Sequence, residues 1–222
     1  MKVVFDLDGT LVDSTPDLLV AINRVLTEYD LPISDRLENQ RFAGQGLMPM
    51  FKATVHSRVP EWTEDKQNLL IREMFDWYNR YPVCYTRAFD GVPQLLNTLQ
   101  RENIKLCVIS NKIYSLTSQI VKTVFPDIIF DRIYGSDSGF PPKPNSDSLK
   151  TCRQGMDASE QLIYVGDTEI DYETAKNTAD QVFIVTWGYR GKEVLLSKGI
   201  KQELLVENPM SLVLMVHHTK ER

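Results

Sequence analysis

The chain has 222 residues, 42% of them hydrophobic and 25% charged, as in a globular protein with one large domain or a medium domain carrying an insertion. The net charge of −5 argues against a broad electrostatic grip on nucleic acid or an anionic membrane surface, so we expect neither partner. No apolar run approaches the roughly 20 residues that span a bilayer.

Five segments are predicted to be buried strands. Most are compact apolar runs, typical of a parallel sheet covered on both faces, although the segment 127–135 is more mixed. Helix-length stretches lie between them, and this alternation predicts an α/β fold: a Rossmann-like, mainly parallel sheet in a three-layer α/β/α core. The strands are 2–6, 104–110, 127–135, 161–167 and 181–187, and the helices are 91–103, 114–125, 146–156 and 169–179.

The interval from Ser14 to about Pro82 breaks the alternation, because it contains no convincing strand. Ser14 to Asp17 offers a cap residue, an early proline and an acidic first turn, which together predict a helix start. Apolar residues at helical spacing follow, and a stripe with Trp77, Tyr78 and Tyr81 is assigned to the same core. We predict an α-helical cap domain at residues 15–82, inserted into a core of residues 1–14 and 83–222.

The cysteines indicate the compartment. Cys84, Cys107 and Cys152 are odd in number, far apart and without a CxxC pair, which predicts free thiols in a reducing environment. The N-terminus lacks a basic region followed by a longer apolar stretch, so no signal peptide is expected. These features favour the cytoplasm.

Chemistry-bearing residues follow four of the predicted elements. Asp6 and Asp8 end the first strand, where each carboxylate disfavours the other's charge unless a cation or a shared proton lies between them. Because ligands in open parallel sheets bind at the carboxyl ends of strands, these groups are expected to converge. They are Asp6, Asp8, Gly9 and Thr10, then Ser110, Asn111 and Lys112, then Lys143, and finally Gly166, Asp167 and Thr168 with Asp171 one helical turn later.

The segments "DLDGTLVDS", "ISN", "KP" and "GDTEID", in that order, resemble the four motifs of the haloacid dehalogenase superfamily. The helical insertion after the first motif is similar to the subfamily with a cap of the first type. One departure is Ser146, where many relatives carry a second proline after "KP". The resemblance covers nearly the whole chain and implies a Mg²⁺-dependent phosphatase acting on a small phosphorylated metabolite.

The resemblance also implies roles for the residues. Asp6 would be the nucleophile that forms an aspartyl-phosphate, and Asp8 would protonate the leaving group and then deprotonate the attacking water. Mg²⁺ would be held by Asp6, Asp167 and the backbone carbonyl of Asp8, with Asp171 either a further direct ligand or hydrogen-bonded just outside the ligands. Lys143 would balance Asp6 and bind phosphate oxygens, and the other phosphate-binding residues would be Thr10, Ser110 and Asn111.

The cap segment "RFAGQGL" (41–47) is the candidate specificity loop. It resembles the glycine-containing cap loop of bacterial phosphoglycolate phosphatases, which implies that Arg41 pairs with a substrate carboxylate while Gly44 and Gln45 reach toward the core. An equally weighted alternative is a helix–helix turn whose glycines supply positive φ. Arg190, in "TWGYRG", is either a second anion contact or part of the loop that begins a helix. No role is assigned to His217 and His218.

Several activities fit these motifs, with 2-phosphoglycolate hydrolysis favoured. A sugar-phosphate mutase similar to β-phosphoglucomutase and an inorganic pyrophosphatase are the alternatives within the superfamily. A 2-haloacid dehalogenase is less favoured, because Asp8 and a full metal site suit phosphoryl chemistry. The non-enzymatic alternative is a phosphoacceptor or ligand-binding module, and the chain is expected to be a monomer or a homodimer.

Overall fold

A computed structural model of the chain describes residues 1–42 and 44–220. At its centre lies a six-stranded sheet in which every pairing is parallel. The predicted α/β fold class is therefore confirmed. In spatial order the strands are β5 (Phe130–Tyr134), β4 (Lys105–Ile109), β1 (Lys2–Phe5), β6 (Leu162–Gly166), β7 (Gln181–Val185) and β8 (Leu205–Val206).

Helices cover both faces of this sheet. Val3 and Phe5 point to one face and Val4 to the other, as the alternation of a strand requires, and each face has its own buried cluster. The first face packs against α5 (Val92–Arg101), α6 (Tyr114–Val124) and α10 (Pro209–Lys220). The second packs against α7 (Asp147–Arg153), α8 (Glu169–Ala175) and α9 (Gly191–Ser197). Within the described part of the chain, no helix is both long and apolar enough to cross a membrane.

The five predicted strands all form, and their positions explain their patterns. The mixed segment 127–135 contains β5, an edge strand whose Asp131 and Arg132 are exposed, so a continuous apolar run is not required there. The sixth strand, β8, is missed by the sequence patterns because two residues are too short to show a period.

The inserted segment is helical. It contains α1 (Thr15–Glu28), α2 (Arg36–Gln40), α3 (Leu47–Arg58) and α4 (Glu64–Arg80). The predicted apolar stripes of α1 and α4 are largely buried in one shared cluster, although Tyr81 is 49% exposed. The division into a cap at residues 15–82 and a core stays a prediction, which this separate cluster supports.

Two short strands join the cap to the core. β2 (Val12–Asp13) pairs antiparallel with β3 (Arg87–Ala88), so the chain enters and leaves the helical insertion side by side. The Asp17 carboxylate, predicted as part of a helix start, accepts hydrogen bonds from the backbone N–H groups of Tyr85 and Thr86. Although α1 begins where predicted, the Ser14 side chain makes no cap bond and donates instead to Asp8.

Candidate active site

Lys143 joins two of the predicted site carboxylates. Its Nζ lies 2.6 Å from Oδ1 of Asp6, which follows β1, and 2.7 Å from Oδ1 of Asp171, which lies in the first turn of α8. All three side chains are nearly inaccessible to solvent. Although burial opposes its charge, the two carboxylates hold the pKa of Lys143 well above its usual value, so the ammonium stays charged.

Asp6, Asp167 and Asp171 form a buried carboxylate cluster in which one oxygen from each residue lies within 4.8 Å of the other two. Burial raises the pKa of Asp6 to about 7, although the positive charge of Lys143 opposes the shift. Burial and the negative charges of Asp171 and Asp6 raise the pKa of Asp167 well above its usual value. Such crowding is relieved by a divalent cation that takes oxygen ligands.

The two aspartates after β6 differ in their partners. Oδ1 of Asp167 is buried and has no hydrogen-bond partner among the described residues, whereas Oδ2 accepts from the Tyr189 backbone N–H at 2.8 Å. Both oxygens of Asp171 accept hydrogen bonds, Oδ1 from Lys143 and Oδ2 from Thr168, the N-cap residue with which Asp171 forms a reciprocal capping box at the start of α8. Asp167 therefore offers a free oxygen for a cation, and Asp171 mainly holds Lys143 and the helix start in place.

Asp8 lies at the boundary between the core and the cap. Its Oδ1 accepts from Ser14 Oγ and, at 2.8 Å, from Lys112 Nζ. The same ammonium donates to Tyr78 OH, on α4, at 2.6 Å. The sequence placed Lys112 at this sheet edge without a role, and placed Tyr78 in the cap core, where it is indeed fully buried.

Core and cap together line a partly open cavity of about 40 Å³ beside these residues. Ser110, Asn111 and Lys112 line it together with Asp6, Asp8 and Lys143. From the cap come the apolar side chains of Leu18, Phe42, Leu47 and Met50, and the backbone of Gly44 and Gly46. The only cationic side chains that line the cavity, among the described residues, are those of Lys112 and Lys143.

The candidate specificity loop contributes less side-chain chemistry than expected. Arg41 and Gln45 are exposed and do not line this cavity; Gln45 borders a separate outer depression. Gly44 and Gly46 have φ of +80° and +94°, as the turn interpretation predicts, and Gly44 does reach the cavity. Ala43 lies outside the described residues.

The remaining predicted residues are Asn111, Thr10 and Arg190. Asn111 uses its amide to join loops: Nδ2 donates to the carbonyls of Gly44 and Lys143, and Oδ1 accepts from the Lys143 N–H. Thr10 is buried away from the cavity lining, its hydroxyl without a partner in the described chain. The Arg190 guanidinium contacts Glu169 and the carbonyl of Gln40, so it links the core to the cap.

Comparison with known proteins identifies relatives. A family model described as haloacid dehalogenase-like hydrolase matches residues 3–185. A phosphoglycolate phosphatase from Aquifex aeolicus is 30% identical to this chain, and the match covers 99% of this chain and 98% of the relative. A phosphoglycolate phosphatase from Cereibacter sphaeroides (strain ATCC 17025) is 31% identical, and the match covers 85% of this chain and 86% of the relative. A solved haloacid dehalogenase-like hydrolase from Streptococcus pneumoniae superposes with a TM-score of 0.80 at 25% identity, over 97% of both chains.

The family match covers every residue that lines the cavity except Tyr189, and it also covers Asp167 and Asp171. Hydrolases of this family generally use a divalent metal, which agrees with the crowded carboxylates and the free oxygen of Asp167. The resemblance found in the four motifs is therefore confirmed, and the chain belongs to the haloacid dehalogenase-like hydrolases.

Proposed function

We propose that the chain is a Mg²⁺-dependent phosphatase that hydrolyses a small phosphorylated metabolite, with 2-phosphoglycolate as the preferred substrate. The observation that carries the proposal is the placement of Asp6, Asp8 and Lys143 in the wall of one small cavity. The names of the curated relatives support the same substrate.

The chain's own residues account for both halves of the reaction. An oxygen of Asp6 attacks phosphorus and displaces the alkoxide, which takes its proton from Asp8. A water deprotonated by Asp8 then attacks the aspartyl-phosphate, and the Asp6–phosphorus bond breaks. Lys143 and Ser110 hold the phosphate oxygens. Mg²⁺, held by Asp6, Asp167 and the carbonyl of Asp8 beside Asp171, would offset negative charge on the carboxylates and the phosphate.

Phosphate release tests the substrate. With Mg²⁺ present, we expect kcat/KM for 2-phosphoglycolate to exceed that for hexose phosphates, pyrophosphate and p-nitrophenyl phosphate by on the order of a hundredfold or more. A preference for pyrophosphate, or conversion of a hexose phosphate to its isomer, would identify one of the alternative activities instead. Binding of these esters without turnover would indicate a ligand-binding module.

Gly188 offers a test of the metal site away from the reacting atoms. A Cβ there would overlap the carbonyl oxygen of Gly9 and the Cβ of Asp167. Because Asp167 must shift, we expect Gly188→Ala to raise the Mg²⁺ concentration for half-maximal activity and to lower kcat/KM by about 10²-fold. Gly199→Ala is the control: its φ is +82°, but its Cβ meets no atom within 4 Å. Unchanged Mg²⁺ dependence in Gly188→Ala would contradict the role of Asp167.

We also propose a cytoplasmic location and a monomer or homodimer. The cysteines support the location, because Cys84, Cys107 and Cys152 are all free thiols.

A further inference from the structure

The two carboxylate oxygens of Asp8 have different surroundings. Oδ1 accepts from both Lys112 Nζ, at 2.8 Å, and Ser14 Oγ. Oδ2 accepts no hydrogen bond from any described residue, and the Asp8 side chain lines the cavity. An oxygen that already accepts from two donors has little room for a proton of its own. The proton that Asp8 exchanges is thereby directed to Oδ2, the oxygen that can face a bound ester.

The position of Lys112 depends on the cap. Its side chain is 2% exposed, and its ammonium has two oxygen partners, Asp8 Oδ1 and Tyr78 OH. Tyr78 lies near the end of α4, buried among cap residues, whereas Lys112 follows β4 in the core. The contact between them therefore spans the boundary between cap and core. A cap displaced from the core would remove one of the two anchors of this ammonium.

Building on the proposed function, we propose that Lys112 is a positioning residue for proton transfer by Asp8, and that Tyr78 makes this positioning depend on a closed cap. With Oδ1 fixed, the Oδ2 proton moves to the leaving oxygen as the phosphorus–oxygen bond breaks and Asp6 bonds to phosphorus. In the second half, Oδ2 takes the proton of the attacking water as the Asp6–phosphorus bond breaks. No atom of Lys112 bonds to the substrate in either step.

Leaving-group dependence separates this role from a structural one. Ethyl phosphate and 2,2,2-trifluoroethyl phosphate have similar sizes and lack a carboxylate, but ethoxide needs a proton far more than the fluorinated alkoxide does. We expect Lys112→Met to lower kcat/KM for ethyl phosphate by about 10²-fold, and that for the trifluoroethyl ester by less than about threefold. Tyr78→Phe should show the same pattern with a smaller, roughly fivefold to tenfold, loss on ethyl phosphate.

Matched controls carry the same chemical changes elsewhere. Lys105→Met, in the strand that precedes Lys112 and with an exposed side chain, and Tyr81→Phe, just beyond α4, should leave hydrolysis of both esters unaffected. Tyr78→Phe keeps its aromatic ring in the cap core, so it tests the proposal even if Lys112→Met does not fold.

The outcomes are distinct. Equal losses on both esters would overturn the proposal, because they indicate general damage to the site. Unchanged values in Lys112→Met and Tyr78→Phe would overturn it too. A selective rise in KM for 2-phosphoglycolate, with both simple esters unaffected, would identify Lys112 as a contact for the substrate carboxylate instead. Hydrolysis of other esters but not 2-phosphoglycolate would overturn the proposed substrate and leave this test valid, whereas a wild-type protein that hydrolyses no ester would overturn both.

Discussion

Replacing Asp6 with Asn is expected to abolish phosphate release, with a loss on the order of 10⁴-fold or more in kcat/KM, because the variant lacks the carboxylate that attacks phosphorus. The same change should make the metal-free protein more stable at about pH 8. There, the charge on Asp6 is opposed by burial and by Asp171 and Asp8, whereas an asparagine can still accept from Lys143. An activity loss combined with a stability gain would mark a residue kept for chemistry and not for folding.

The pH dependence of unfolding isolates this effect. The pKa of Asp6 is about 7 in the folded protein against an ordinary value of 3.8, so the folded state binds more protons between these values. The free energy of unfolding of the metal-free protein therefore decreases as the pH rises through this window, and this decrease should be smaller in Asp6→Asn. Some slope should remain, since the pKa of Asp167 is raised as well.

Urea unfolding in EDTA, at about pH 5 and about pH 8, measures how the free energy of unfolding depends on pH in the wild type and in Asp6→Asn. Asp157→Asn is a suitable control, because Asp157 is exposed and remote from the cluster, and it should retain activity and the wild-type slope. Parallel slopes for the wild type and Asp6→Asn would show that burial does not hold a proton on Asp6. Measurable turnover by Asp6→Asn would contradict the nucleophile assignment.

The strand-end residues were predictable because their information is local. A compact apolar run followed by carboxylates, a hydroxyl or a lysine indicates both a buried strand and what lies at its end. The structure brings Asp6, Ser110, Lys143 and Asp167 together as the motifs predicted. Gly166 belongs to the same motif, and it is constrained because a Cβ there would overlap Asp171.

Contacts between the cap and the core could not be predicted in the same way. The Lys112–Tyr78 bond joins residues 34 positions apart, and the Asp17–Thr86 bond joins residues 69 apart. Each depends on how four helices pack onto a sheet, so neither leaves a periodic pattern. Tyr78 belongs to an apolar helix stripe whether or not its hydroxyl has a partner in the core.

Substrate selection was the least accessible property. The sequence suggested Arg41 and Gln45 as the polar contacts of the cap, but the structure leaves both side chains exposed and outside the cavity lining. The cap wall consists instead of Leu18, Phe42, Leu47 and Met50. Such apolar residues have the pattern of ordinary core residues, so nothing in the sequence distinguishes those that face a ligand.

Lys143→Met is expected to destabilise the metal-free protein by about 3–5 kcal/mol, because it leaves buried carboxylates without their cation. Its ammonium bonds to both Asp6 and Asp171 and also attracts the charge of Asp167. Activity should fall by about 10²–10³-fold, since the phosphate oxygens lose a charged donor. Urea unfolding in EDTA and phosphate release measure the two effects, and Lys150→Met is the control, in which an exposed lysine loses its bond to Asp147 with little consequence.

The loss of stability in Lys143→Met should itself depend on pH and on Mg²⁺. Without the ammonium, the pKa of Asp6 rises further and that of Asp171 rises from its lowered value, so the variant binds more protons when folded and loses more stability than the wild type as the pH rises. At about pH 5 the neutralised carboxylates need the lysine less, and at about pH 8 added Mg²⁺ should raise Tm more in the variant than in the wild type. A pH-independent, Mg²⁺-insensitive loss would mean that Lys143 stabilises the protein through packing of its aliphatic stem. That result would separate the role of Lys143 in folding from the charge balance that the nucleophile requires.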